Sequence, residues 1–363
     1  MATSTSDGGM GFGGSNSHSD GMGILPKIHQ ALEVVYSPYS SNDGRRDAQQ
    51  FLEGVKQTDE APSHGFNLAA DKSQSPVVRH YALSLLEHAI KHRWNYYTPS
   101  QAATLRNCVL ELSQSISKDD PAYLRNKIAV LWVEVAKRSW VADWMDMDTN
   151  LVQLWQIPAS PAHKELVLSV LESISDEVFS GDDPAVTVRE GVLSKASVEI
   201  FTPAAVLVDT YPNRQPGPDV RCGDEGWLVR VVELLRQCLA GDVQNNDDIQ
   251  SCAVRALAVL NSLMPWVIPN AATASGCVPV LCDALRTSHI GIQKVRILCV
   301  FYHVVCSTIA DCRRLPWKLC THCIAARASS TMSSWVWSSP CTTVITWSCL
   351  GNSLSGLLST RKT

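Results

Sequence analysis

The sequence predicts an all-α fold: an α-solenoid of HEAT-type helical repeats behind a disordered N-terminal leader. Three observations carry that expectation. Apolar residues recur at helical spacing through most of the chain. A capping residue followed by proline recurs at Ser75-Pro76, Thr98-Pro99, Asp120-Pro121, Ser160-Pro161, Asp183-Pro184 and Thr202-Pro203. Successive marks lie 23, 22, 40, 23 and 19 residues apart, the 40 being two shorter steps with an unmarked helix start near Val141. The side-chain oxygen of each capping residue can accept from an unpaired amide of the first turn, and proline after it lacks only an amide that would have had no partner. At Thr98 the mark is reinforced by Gln101, which completes a capping box. Two helices with their turns make a unit of about 40 to 47 residues, the period of HEAT and armadillo repeats, and no strand-like alternation competes.

Residues 1–23 are rich in Gly, Ser and Asp and cannot bury enough apolar surface to offset chain entropy, so a flexible leader is expected there. From Ile24 the texture changes. Ile28, Ala31, Leu32, Val35 and Tyr36 have helical spacing, and Ala48, Phe51, Leu52 and Val55 repeat it. Val78, Ala82, Leu85 and Ala89 form the next apolar stripe, with Glu87 and Lys91 paired on the other side. Leu124, Ile128, Leu131 and Val135 follow, with Glu134 and Arg138 expected to face outward; Leu166, Val170, Ile174 and Val178 form a further stripe. Residues 209–225 read as a loop, and helices resume at about 226–240, 248–263 and 277–286. The repeats are expected to run over 24–295. Residues 296–363 hold a single acidic residue, Asp311, and seven of the thirteen cysteines, while helical periodicity fades. That tail is expected to derive from a retained intron or a shifted reading frame that truncates a longer protein.

Composition sets bounds on function. With 363 residues, 45% hydrophobic and 18% charged, the chain can bury a core, and a net charge of -4 gives no global pull toward nucleic acid or anionic membrane. The first residues have no apolar core of a secretory signal. The apolar run Ile297–Ala310 is shorter than the roughly 18 residues that suggest a span. The uncharged stretch 328–360 is rich in Ser and Thr and makes only a weak case for a tail anchor, so no membrane insertion is expected.

The chain offers few chemical motifs. His88 and His92 have the separation of helical zinc ligands, but Ala89 stands where a metallopeptidase needs its water-activating glutamate. Cys320 and Cys323 match half of a zinc knuckle or a redox motif, but no second paired-cysteine motif follows at a suitable distance. No phosphate loop, dinucleotide fingerprint or nucleophile elbow occurs, and no enzyme, cofactor or metal is expected. Lys91, His92 and Arg93 with Trp94, Tyr96 and Tyr97 could hold phosphates and stack bases. They equally suit the end of a scaffold helix, where cations face the negative pole of the dipole. Trp140 and Trp144 suit packing between helices better than a binding platform.

The blocks Val78–Asn95 (VRHYALSLLEHAIKHRWN), Leu124–Asp148 (LRNKIAVLWVEVAKRSWVADWMDMD) and Lys164–Ala196 (KELVLSVLESISDEVFSGDDPAVTVREGVLSKA) resemble the amino-terminal HEAT repeats of the importin-β superfamily of karyopherins, and within it the exportin-5-like nuclear export receptors. The resemblance covers about residues 25 to 295. It implies a receptor that shuttles between nucleus and cytoplasm, binds Ran-GTP together with export cargo such as structured RNA or phosphorylated protein, and meets nuclear pore proteins. It also implies inward-facing helices at about 99–117 and 141–156, with Arg106, Asn107, Glu111, Asp143, Asp146 and Asp148 as candidate contacts to Ran or cargo. The helix carrying His88 and His92 would then lie outside. Lys91, Arg93 and Trp94 remain a candidate RNA patch. Repeat periodicity alone equally allows a HEAT scaffold without Ran dependence.

Overall fold

The computed structural model describes residues 23–215, 217–243 and 245–287. The leader, except Gly23, and the 296–363 tail with Cys320 and Cys323 lie outside the described residues. The chain divides into two compact units, with the boundary between Gly226 and Trp227. Among the described residues there are fifteen α-helices and no strand.

The first unit begins with helical hairpins stacked side by side. The helices α1 (Ile24–Tyr36) and α2 (Asn42–Lys56) pair, as do α3 (Ala61–Ala70) and α4 (Pro76–Arg93). The next pairs are α5 (Pro99–Gln114) with α6 (Ala122–Ser139), and α7 (Met147–Trp155) with α8 (Pro161–Ser180). Contacts between hairpins sort these helices into two layers. α2, α4, α6 and α8 lie side by side in one; α3, α5 and α7 follow one another in the other. Both layers bury their apolar stripes toward each other, which is the HEAT-type solution for helices that cannot hide a hydrophobic face alone. The short α9 (Pro184–Thr187), then α10 (Glu190–Phe201) and α11 (Ala204–Thr210) follow, and an irregular segment runs from Tyr211 to Glu225.

Three of the expected stripes are buried throughout: Val78, Ala82, Leu85 and Ala89 on α4; Leu124, Ile128, Leu131 and Val135 on α6; Leu166, Val170, Ile174 and Val178 on α8. At the start of the stack the stripes are buried only in part: Ile28, Ala31 and Leu32 on α1 and Leu52 and Val55 on α2 are in the core, Val35, Ala48 and Phe51 are half-buried, and Tyr36 is exposed, because no earlier hairpin covers that side among the described residues. Gly65 lets α3 approach α4 closely, since a Cβ there would lie 2.9 Å from the Ala82 carbonyl oxygen.

Charged residues lock the even-numbered layer in register. Lys127 on α6 bonds Glu87 on α4, Arg125 on α6 bonds Glu165 on α8 at 3.1 Å, and Lys137 on α6 bonds Glu177 on α8 at 3.1 Å. Each pair is separated by 40 residues of sequence, so the repeat period appears directly as an ionic spacing.

Several local expectations are corrected. Ser75, Thr98 and Asp183 cap their helices through side-chain oxygens, Thr98 in a full capping box with Gln101. Ser160 stands at the predicted start of α8, but its hydroxyl meets His163 Nδ1 at 2.5 Å instead of an amide. At Asp120 and Thr202 the helix begins one residue later, with Pro121 and Pro203 in the capping position. The Asp120 carboxylate is taken by Arg79 at 2.5 Å and Lys72 at 2.7 Å. No helix starts near Val141; residues 140–146 form a turn and α7 begins at Met147. Glu134 does pair with Arg138, but it is buried, 3% exposed, because Lys137 and Lys91 converge on it too. Trp140 and Trp144 are buried, and Trp144 packs on Trp132 with ring centroids 5.2 Å apart.

The second unit contains α12 (Gly226–Ala240) from its second residue onward, α13 (Asp247–Leu263), α14 (Pro269–Ala274) and α15 (Cys277–Arg286). Ala253, Ala256, Leu257, Leu260 and Leu263 bury one side of α13. The Arg230 guanidinium lies 4.9 Å from the Trp227 ring centre.

Candidate protein-binding interface

Of the predicted contact residues, Arg106, Asn107 and Glu111 lie on α5, Asp143 and Asp146 on the turn between α6 and α7, and Asp148 on α7. α6 ends at Ser139, and the chain doubles back so that the amides of Ala142, Asp143 and Trp144 all donate to the Ser139 carbonyl, at 3.1, 2.9 and 3.0 Å. Burying Trp140 and Trp144 within so short a span requires a sharp reversal, and Val141 takes the left-handed region at φ 69° to make it. A β-branched residue in that region is strained, and such strain is held only where surrounding contacts over-determine it. Here those contacts come from two arginines. Arg106 on α5 donates to the Asp143 carbonyl, and Arg189 donates to the Trp140 carbonyl. The Trp144 indole N–H donates to Asn150 at 2.8 Å, fixing the turn to α7.

The outcome is an ordered acidic turn. Asp143 and Asp146 are exposed on it, and Asn107 and Glu111 are exposed on the neighbouring α5. Arg106 is half-buried, committed to the turn's backbone. Asp148 differs from the others: it is 1% exposed and accepts from the Cys222 amide at 2.6 Å, so its carboxylate anchors the 211–225 segment from inside. Arg189 is held below its ordinary pKa by desolvation, with Asp143 as the opposing counter-charge.

The Lys91–Trp94 cluster sits at the end of α4. Lys91 Nζ lies 3.0 Å from Glu87 and 3.6 Å from Glu134. Arg93 donates to the carbonyls of Gln57 at 3.1 Å and Thr58 at 2.6 Å and pairs with Asp59. Trp94 opens a short 3-10 turn, Trp94–Tyr96, that leaves Tyr96 82% exposed. The His88 and His92 rings meet at a tilt of 48° with centroids 4.9 Å apart, and His88 Nε2 meets the Gln57 side chain at 3.2 Å across the seam with α2. Burial holds the His88 pKa below its ordinary value, and the nearby cationic groups of His92 and Lys56 add to that. Among the described residues no three His, Cys, Asp or Glu side chains are placed to hold a metal ion, and no helix is long and apolar enough to cross a membrane.

Sequence reasoning missed what Arg93, Arg138 and Arg189 do. An arginine beside tryptophan at a helix end is visible in the sequence, but its acceptors lie a repeat away.

Residues 48–134 match the Importin-beta N-terminal domain family, and residues 121–196 match the family described as Exportin 1-like protein. Protein MSN5 of Saccharomyces cerevisiae is 31% identical over 276 residues, covering 72% of this chain and 22% of MSN5. Exportin-5 of Homo sapiens is 30% identical over 288 residues, covering 76% of this chain and 22% of the human protein. Exportin-1 of Drosophila melanogaster is 27% identical over 202 residues, 52% of this chain and 18% of that protein. The chain thus spans about a fifth of the length of such relatives. With an importin-beta amino-terminal domain running into an exportin 1-like domain, on stacked helical hairpins, this chain is an exportin-5-like karyopherin of the importin-β superfamily.

Proposed function

We propose that this chain acts as the amino-terminal part of a nuclear export receptor, contributing to the binding of Ran-GTP and of cargo such as structured RNA or phosphorylated protein. The observation that carries the reading is the order of matched families, importin-beta amino-terminal then exportin 1-like, on consecutive repeats of one stack. A shuttling receptor of this kind works between nucleus and cytoplasm and meets nuclear pore proteins on the way. It does no chemistry: a rigid surface complementary to switch segments that are ordered only with γ-phosphate and magnesium reads the nucleotide state. Asn107, Glu111, Asp143 and Asp146 are the proposed contacts. Their exposure, and the over-determined turn that presents two of them, support that role. Lys91, Trp94 and the exposed Tyr96 are the proposed RNA-facing group, with Arg93 holding the helix end beneath them.

The test is binding of the full chain to Ran loaded with a non-hydrolysable GTP analogue, beside Ran loaded with GDP. Preference for the GTP form, weakened at least tenfold by Glu111→Lys with Asp143→Lys and Asp146→Lys, is expected. Equal affinity for both forms by a folded sample would turn the reading toward a helical scaffold without Ran dependence. RNA affinity that falls steeply with salt and with Lys91→Ala would assign the second group.

A further inference from the structure

We propose that a series of arginine clasps along one edge of the first unit couples its repeats into a single cooperative body. An α-helix leaves its last carbonyls without intrahelical partners, at the negative pole of its dipole. In this protein three consecutive helices of the even-numbered layer have carbonyls at or just past their ends taken by a guanidinium from later in the stack, from the following repeat at α2 and α4 and from just beyond α8 at α6. Arg93, the last residue of α4, donates to the Gln57 and Thr58 carbonyls at the end of α2, at 3.1 and 2.6 Å. Arg138, near the end of α6, donates to the Lys91 carbonyl in the last turn of α4 at 3.3 Å. Arg189, in the link between α9 and α10, donates to the Lys137 carbonyl in the last turn of α6 at 2.8 Å and to the Trp140 carbonyl just past it. The polarity is the same each time: donor on the later repeat, acceptor at the end of the earlier helix. Arg221 extends the pattern, donating to the Thr202 carbonyl at 2.7 Å and to that of Glu199 at the end of α10.

The chemistry differs from that of the ion pairs with which these helices are also bridged. A clasp joins a permanent charge to neutral carbonyl oxygens through a planar fork that can engage two acceptors at once, so it fixes orientation as well as distance; Arg93 and Arg138 add an ion pair to Asp59 and Glu134, while both acceptors of Arg189 named above are backbone carbonyls. A partly exposed ion pair such as Lys127 with Glu87 is weakened by salt; a clasp onto a neutral carbonyl is weakened less. In a stacked array each repeat touches only its neighbours, and cooperativity depends on the terms that join them. The clasps lie at those joints.

The experiment follows hydrogen exchange of peptides from α2, α4, α6, α8 and α10 in the full chain as urea is raised. In the unsubstituted protein all five are expected to open at a common urea concentration, at 50 mM and at 1 M NaCl alike. Arg189→Gln should split that transition, with α10 parting from α2 to α8, and Arg93→Gln should free α2 from the rest. Lys127→Gln, which removes an ion pair at the α4–α6 seam, should shift the common midpoint without splitting it. Two results overturn the proposal: both arginine variants moving every peptide together, or salt alone splitting the transition of the unsubstituted chain. Should Arg189→Gln fail to fold, Arg93→Gln and the salt series decide.

Discussion

Asp120 shows how much a single side chain can organise. It is 5% exposed and receives Arg79, Lys72 and the Ser117 amide at 2.8 Å, tying the turn before α4 to the turn before α6. Burial alone would raise its pKa, but the bonds from Lys72 and Arg79 outweigh that and bring it to about 2. A carboxylate depressed in the folded state contributes stability that is complete above its unfolded value near 4 and is lost as pH falls through about 2. Asp120→Asn should therefore cost about 3 kcal/mol at neutral pH, by leaving the buried Arg79 without its counter-charge. Urea titrations at pH 7 and across pH 4 to 2 check both the loss and the flattening of the acid dependence. His88 has the same sign for a different cause. Burial favours its neutral form, so its contribution is present above the unfolded value of 6.5 and fades as pH falls below it. An NMR titration should place its midpoint below 6.5.

At the scale of the helix, packing decides what propensity leaves open. Gly65→Ala would gain roughly 1 kcal/mol of intrinsic helix preference, yet the new methyl would press on the Ala82 carbonyl and on Leu85 and Leu86 at 3.1 and 3.2 Å. A net loss of about 1 to 3 kcal/mol is expected, because α3 must shift away from α4; thermal unfolding by circular dichroism reads it. The stripes on α4, α6 and α8 were legible in the sequence because apolar periodicity is a local property. Capping was legible at Ser75, Thr98 and Asp183 for the same reason. It failed at Asp120, whose partners Arg79 and Lys72 stand 41 and 48 residues away. The turn at Val141 was invisible because Val141, Ala142 and Trp144 also fit a helix; what forbids one is the burial of Trp140 and Trp144 against Trp132. Glu134 looked solvent-facing because its pairing with Arg138 is a surface pattern, and only the stack brings Lys91 and Lys137 to it. Of the candidate interface, the acidic character was readable; the inward turn of Asp148 toward the Cys222 amide, across 74 residues, was not.

For the molecule as a whole, the ionic register between repeats can be tested as a pair. Arg125 and Glu165 are each less than a fifth exposed, with side-chain values of 17% and 16%. A double-mutant cycle with Arg125→Gln and Glu165→Gln should give a coupling of about 1 kcal/mol at low salt and less at 1 M NaCl. Coupling near zero would mean that apolar contacts alone set the register. The spacing itself has a consequence for how such a chain can change. Because Glu87, Arg125 and Lys137 find their partners one period onward, inserting a complete repeat offers each a new neighbour of the same kind. Adding or removing any other length within a helix takes its charges out of register with their partners on the neighbouring helix. The architecture can be lengthened by duplication and hardly at all by increments.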